Sequence, residues 1–190
     1  FDDAHVIAGQ GTIGLELLAA RPDLTAILVP LSGGGLAAGV ALAAKAIKPG
    51  IRIIGLSMER GAAMQASLAA GRPVAVTEYP SLADSLGGGI GLWNRLTLGF
   101  CRDLLDDVVL VSETAIRDAM QALFYHDRIV AEGAAVVGLA GILTDAVTLT
   151  GPTATILTGR NTEMNTFADL VAGRDLRIGN LFLKGKIHGA

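Results

Sequence analysis

Apolar and polar residues follow two rhythms along this chain, and the switch between them recurs. Short apolar runs, Ile27-Leu28-Val29, Ile51 to Leu56, Asp107 to Val111 and Thr153 to Leu157, read as strands, most of them with no polar side to turn toward water. Between them, apolar residues fall at helical spacing. After an N-terminal loop, Ile13 to Leu18 makes one apolar helical face, with Thr12 as its N-cap and Pro22-Asp23 as its end. A second helix runs to about Lys48 and stops at Pro49-Gly50, and a third spans Ala62 to Ala70 and closes at Gly71. Further helices are predicted over Asn94 to Leu105, from an N-cap at Ser112 to about Asp127, over Gly133 to Thr148, and over Asn165 to Val171. Strand-helix alternation of this kind predicts an α/β fold, a parallel sheet with helices on both faces, because parallel strands need crossovers and must be covered.

Two stretches break the rhythm. Residues 72–93, with Pro73, Pro80 and Gly87-Gly88-Gly89, form a loop of a length that in compact domains is usually functional. Residues 174–190 follow the last helix as a tail, and Leu181 to Ala190 shows no pattern and is expected to be weakly ordered.

The junction at Pro30-Leu31-Ser32-Gly33-Gly34-Gly35-Leu36-Ala37-Ala38-Gly39 carries the first candidate chemistry. A strand ends, three residues lacking Cβ follow, and a helix starts, so backbone N–H groups converge at the positive end of a helix dipole. Charge-assisted bonds of roughly 1.5–3 kcal/mol each, together with the Ser32 hydroxyl, could hold a phosphate without Lys or Arg. The alternative is a tight strand-to-helix packing turn that binds nothing.

Composition narrows the partners. The chain has 190 residues, 51% of them apolar, and a formal net charge of −3, which fits one globular domain with a sizeable core and no nucleic-acid partner. Its longest apolar stretch, Gly133 to Leu149, is interrupted by Thr144 and Asp145, so no membrane partner is expected either. Cys101 is the single cysteine, which excludes an intrachain disulfide and fits a reducing, cytoplasmic setting; its amphipathic context makes it structural. His5, His126 and His188 have no ligand spacing and read as surface or packing residues. The chain opens on Phe1-Asp2-Asp3 without an initiating Met, and is expected to be the later part of something longer.

Taken together, Val6-Ile7-Ala8-Gly9-Gln10-Gly11-Thr12, the Pro30 to Gly39 segment, Leu82-Ala83-Asp84 and Thr158-Gly159-Arg160-Asn161 resemble the serine/threonine dehydratase and serine racemase family of pyridoxal-phosphate (PLP) enzymes, whose fold is that of tryptophan synthase β, fold type II. Order and spacing match up to about Val171. Ser57 to Met64 and Ser81 to Gly91 look most like the dehydratases of hydroxyectoine utilisation. The resemblance implies that residues 1–173 are the C-terminal part of the large cofactor domain, and that Ser32, Gly33, Gly34, Gly35 and Leu36 bind the PLP phosphate. It implies that Thr158 bonds the pyridine nitrogen, that Glu132 lies near the cofactor, and that Asp84 lines the substrate cleft. Each of these three has a plainer alternative: an N-cap for Thr158, compensation of a helix dipole for Glu132, a turn cap for Asp84.

Two departures from the family follow. Its metal carboxylates fall on Ser57 and Ala63, so no metal site of that kind is expected. Its Schiff-base lysine and substrate-carboxylate loop belong to a part upstream of Phe1, and neither Lys45, Lys48, Lys184 nor Lys186 stands in the required context. The implied activity is elimination from a β-hydroxy amino acid to a keto acid and ammonia, in a cytoplasmic homodimer completed by the upstream segment and small domain. Racemisation by the same cofactor, or a non-catalytic phosphate-binding remnant, are the alternatives.

Overall fold

In the computed structural model, which describes residues 1–189, four parallel strands form one sheet in the order β3-β2-β1-β4. They are β1 (Ala26–Pro30), β2 (Arg52–Met58), β3 (Asp107–Val111) and β4 (Thr153–Thr155). Seven helices accompany them: α1 (Ala4–Ala20), α2 (Gly35–Ile47), α3 (Ala63–Ala70), α4 (Thr97–Leu104), α5 (Glu113–Ala122), α6 (Val137–Leu143) and α7 (Met164–Val171). A small antiparallel hairpin of β5 (Leu176–Ile178) and β6 (Leu181–Leu183) follows.

The unbroken apolar runs are explained by burial on both faces. Side chains alternate across a strand. Ile27, Val29 and Ile53 therefore point into one cluster with Leu18 of α1, Val40 of α2 and Met64 of α3. Leu28, Ile54, Leu56 and Met58 point into the other, against Ile116 of α5 and Val137 and Ala140 of α6. The expected parallel sheet with helices on both faces is what the structure shows. Helices α1 and α2 cross closely because Gly39 faces Gly11: a Cβ at Gly39 would run into the Ile7 carbonyl and come within 2.7 Å of the Gly11 nitrogen.

Four differences from expectation bear most on the fold. The first helix starts at Ala4, capped by Asp3, whose Oδ1 accepts from the N–H groups of His5 and Val6 at 2.9 and 3.2 Å. Thr12 is thus no cap, and its hydroxyl donates back to the Gly9 carbonyl. Helix α4 starts at Thr97, three residues later than periodicity suggests. The Gly- and Ala-rich stretch from Gly133 opens with a 3-10 turn and its helix stops at Leu143, with Asp145 in a left-handed conformation.

The fourth difference is the tail, which is held rather than loose. Gln121, 1% exposed, donates from Nε2 to the carbonyls of Leu170 and Lys186, both at 2.7 Å, and Arg117 donates to the Lys184 carbonyl at 2.6 Å. Leu176 and Leu183 complete the core between them. Ala190, the last residue of the stretch expected to be weakly ordered, lies outside the described residues. No helix among the described residues is long and apolar enough to cross a membrane.

Candidate functional site

The site begins where β1 releases the chain. Leu31 N–H still donates to the Leu56 carbonyl at 2.7 Å, the last tie to β2, and the backbone then turns through Ser32, Gly33 and Gly34 into α2. The turn needs Gly34, whose φ of 90° is left-handed. A Cβ there would also meet Met64 Cε at 2.6 Å, Cys101 Sγ at 3.0 Å and Thr97 Cβ at 3.1 Å. Its neighbours face the other way: a Cβ at Gly33 would meet the Phe1 ring at 2.5 Å, and one at Gly35 would meet Phe1 Cβ and carbonyl oxygen at 3.0 Å. The loop is therefore a single layer of backbone between Phe1 and helices α3 and α4.

Helix α2 has its first bond from Ala38 N–H to the Gly34 carbonyl at 2.8 Å, so the N–H groups of Gly35, Leu36 and Ala37 precede its ladder. No side chain caps them. Gly35 and Leu36, together with Phe1, Ser32, Gly33 and Gly34, line a cavity of about 240 Å³ that Thr158 also lines. Lys and Arg are absent from that wall, and an anion there would be held by backbone donors and a hydroxyl.

Thr158 is exposed and heads no helix. Helix α7 is capped instead by Glu163, whose carboxylate accepts from Asn165 N–H at 2.9 Å and Thr166 N–H at 2.6 Å. The capping alternative for Thr158 thus fails.

Glu132 and Asp84 line a second cavity of about 190 Å³. The two cavities are neighbours, because Ser85 and Ala134 face the first while Asp84 and Glu132 face the second. Glu132 is tied to the Thr158 side: its N–H donates to the Gly159 carbonyl at 3.2 Å, and a Cβ on Gly159 would strike its Oε1 at 2.6 Å. Burial and then the charge of Asp84 push the Glu132 carboxyl up. Glu132 stands at the N-cap position of the 3-10 turn Gly133–Val136 and makes no side-chain cap bond to it. Asp84 does serve its turn, with Oδ1 accepting from Ser85 N–H at 2.9 Å.

The lysines lie elsewhere. Lys45 pairs with Asp106 at 2.8 Å, Lys48 donates to the Pro22 and Leu24 carbonyls, and Lys186 pairs with Asp118 at 2.8 Å. Ser57 is buried within β2 and Ala63 at the start of α3, and among the described residues no group of three or more His, Cys, Asp or Glu side chains could hold a metal ion. His126 and His188 meet, Nε2 to Nε2 at 3.3 Å, with His188 stacked on Tyr125. Cys101 is buried beneath the glycine loop, its thiol pushed up to about 12 by desolvation and directed at the Gly34 carbonyl, so it packs and does not react.

Sequence reading missed Phe1 and Asp2 as parts of the site. Their partners lie about thirty to ninety-five positions away, and nothing local marks them.

Residues 1–159 match the family model described as pyridoxal-phosphate dependent enzyme. A Sinorhizobium fredii protein named "Putative threonine dehydratase" is 52% identical over 91% of this chain and 52% of its own length. The L-threonine ammonia-lyase of Geobacter sulfurreducens is 41% identical over 99% of this chain and 46% of its own. The structure of maize serine racemase superposes with a TM-score of 0.78 at 38% identity, covering 86% of this chain and 50% of that one. The chain spans about half the length of the curated relatives it matches.

Proposed function

This chain belongs to the family of pyridoxal-phosphate dependent enzymes, in the group that holds threonine dehydratases and serine racemases, and from that membership we propose that it is the cofactor-cradling part of an ammonia-lyase acting on a β-hydroxy amino acid. The observation that carries the proposal is that the bare glycine loop and Thr158 line one cavity. A phosphorylated ring fits that pairing. The N–H groups from Gly33 to Leu36 and the Ser32 hydroxyl would take the phosphate, and Thr158 would take the ring nitrogen.

When bound, the cofactor draws electrons from the amino acid's α-carbon, so that its α-proton and β-hydroxyl can leave. Thr158 offers a neutral hydroxyl, where a carboxylate would keep the ring nitrogen protonated. A neutral partner keeps the ring a weaker electron sink, which favours prompt loss of the β-hydroxyl. Glu132, with its carboxyl pushed up beside Asp84, is the group able to hold a proton at the Thr158-Gly159 end of the site. Lys45, Lys48 and Lys186 are held by other partners and none of the four lysines lines the cradle, so the lysine that anchors the cofactor is assigned to another part of the whole protein, together with the residues that bind the substrate carboxylate.

The full-length protein is predicted to release keto acid and ammonia from L-threonine or L-serine, while these 190 residues alone release none. Conversion of L-serine to D-serine without keto acid would replace the lyase by a racemase, and no turnover of either amino acid would support the non-catalytic alternative. The likeness of Ser57 to Met64 and Ser81 to Gly91 to hydroxyectoine-utilisation dehydratases supports a finer assignment. It requires that intermediates of that breakdown be turned over faster than threonine.

A further inference from the structure

Asp2, the neighbour of Phe1, accepts three backbone hydrogen bonds. Its Oδ2 accepts from Arg95 N–H at 2.7 Å, and its Oδ1 from the N–H groups of Leu96 and Thr97 at 2.8 and 2.9 Å. These are unpaired donors at the start of α4, whose own N-cap residue, Leu96, has no side chain to satisfy them. Asp2 caps α4 from 94 and 95 positions away. Burial pushes its carboxyl up, but the bonds from Arg95, Thr97 and Leu96 outweigh burial and leave it lowered, so it is a carboxylate throughout the physiological range.

What the cap holds is the floor of the glycine loop. Thr97, fully buried, and Cys101, one turn on, are the α4 residues that crowd the missing Cβ of Gly34, and Asn94 Nδ2 fixes the Thr97 hydroxyl at 2.7 Å. The residue before Asp2 is the roof: Phe1 lies against the missing Cβ atoms of Gly33 and Gly35. One dipeptide thus grips both sides of a layer of backbone that has no side chains with which to fix itself.

The geometry points to Asp2 as a positioning residue that sets the height of the Gly33-Gly34-Gly35 loop between Phe1 and α4, and so aims its N–H donors at the cofactor's phosphate. The inference rests on the assignment of that loop to the phosphate. Donors that must converge on one group lose most of their value when displaced, and loss of a single charge-assisted bond costs about tenfold in affinity.

The test measures affinity of the full-length apoprotein for PLP and for pyridoxal, which lacks the phosphate, in the wild type, Asp2→Ala and Asp2→Asn. In the wild type, PLP should bind far more tightly than pyridoxal. Asp2→Ala should weaken PLP about tenfold while leaving pyridoxal unchanged, so the ratio between the two collapses. Asp2→Asn keeps Oδ1 for Leu96 and Thr97 and should restore most of the ratio. Equal weakening of both ligands in Asp2→Ala would mean a merely structural cap and overturn the inference, as would an unchanged ratio. A wild type that binds PLP and pyridoxal alike would overturn the phosphate assignment itself. Pyridoxal affinity, which needs the fold but not the phosphate loop, shows whether Asp2→Ala is still folded.

Discussion

The three glycines of the loop are not equivalent, and their differences predict distinct failures. A side chain at Gly34 would point away from the cavity into Met64, Cys101 and Thr97, on a backbone at φ 90°. Gly34→Ala should therefore destabilise the protein by about 1–3 kcal/mol, read as a lower urea midpoint. A side chain at Gly33 would meet the ring of Phe1, which is half exposed and can yield. Gly33→Ala should cost under about 0.5 kcal/mol in stability, yet weaken PLP about tenfold. Equal effects of the two changes on stability would contradict the opposed directions of these Cβ positions. Glu132 makes a second prediction at this scale. Because its carboxyl is raised in the folded state, the folded protein holds that proton more tightly than the unfolded chain does, and stability falls as pH rises through the interval above the ordinary glutamate range. Glu132→Gln should flatten that fall and raise the melting temperature at neutral pH, and an unchanged pH profile would contradict the raised value.

At the scale of elements, the tail is the clearest test of what holds the molecule together. Gln121 on α5 is the buried post to which the carbonyls of Leu170 and Lys186 are tied. Gln121→Leu should leave both acceptors unpaired and cost about 1–3 kcal/mol, with faster proteolysis around residues 172–187. Unchanged protease resistance would show that Leu176 and Leu183 hold the hairpin without it. Sequence periodicity could not reveal this hairpin, because its strands are three residues long and its anchors sit some fifty to seventy positions upstream. The same physics explains the other differences. Asp3 outcompetes Thr12 as a cap because the apolar face of α1 reaches back to Ile7, whereas the Thr12 hydroxyl is satisfied by its own helix. What was legible in the sequence was whatever depends on local pattern: two-sided strands, the glycine turn, Ser112 as a cap accepting from Ala115 N–H, and Gly71 closing α3 in a left-handed conformation. Asp2 and Phe1 were illegible because their partners are tertiary.

For the molecule as a whole, the arrangement separates two tasks. The sheet and the Gly39-Gly11 crossing of α1 and α2 fix a rigid frame, from whose strand ends the glycine loop and the Thr158 segment emerge to line one cavity, with Glu132 and Asp84 lining the next. On the proposed function, such a frame would hold the cofactor at its phosphate and its ring nitrogen and would leave the aldehyde and the substrate to other parts of the protein. The most direct measurement is a crystal structure of the full-length protein with PLP bound. The phosphate should lie within hydrogen-bond reach of the backbone N–H groups from Gly33 to Leu36, with the ring nitrogen at the Thr158 hydroxyl. A phosphate seated on Arg side chains elsewhere, with the glycine loop empty, would contradict the account.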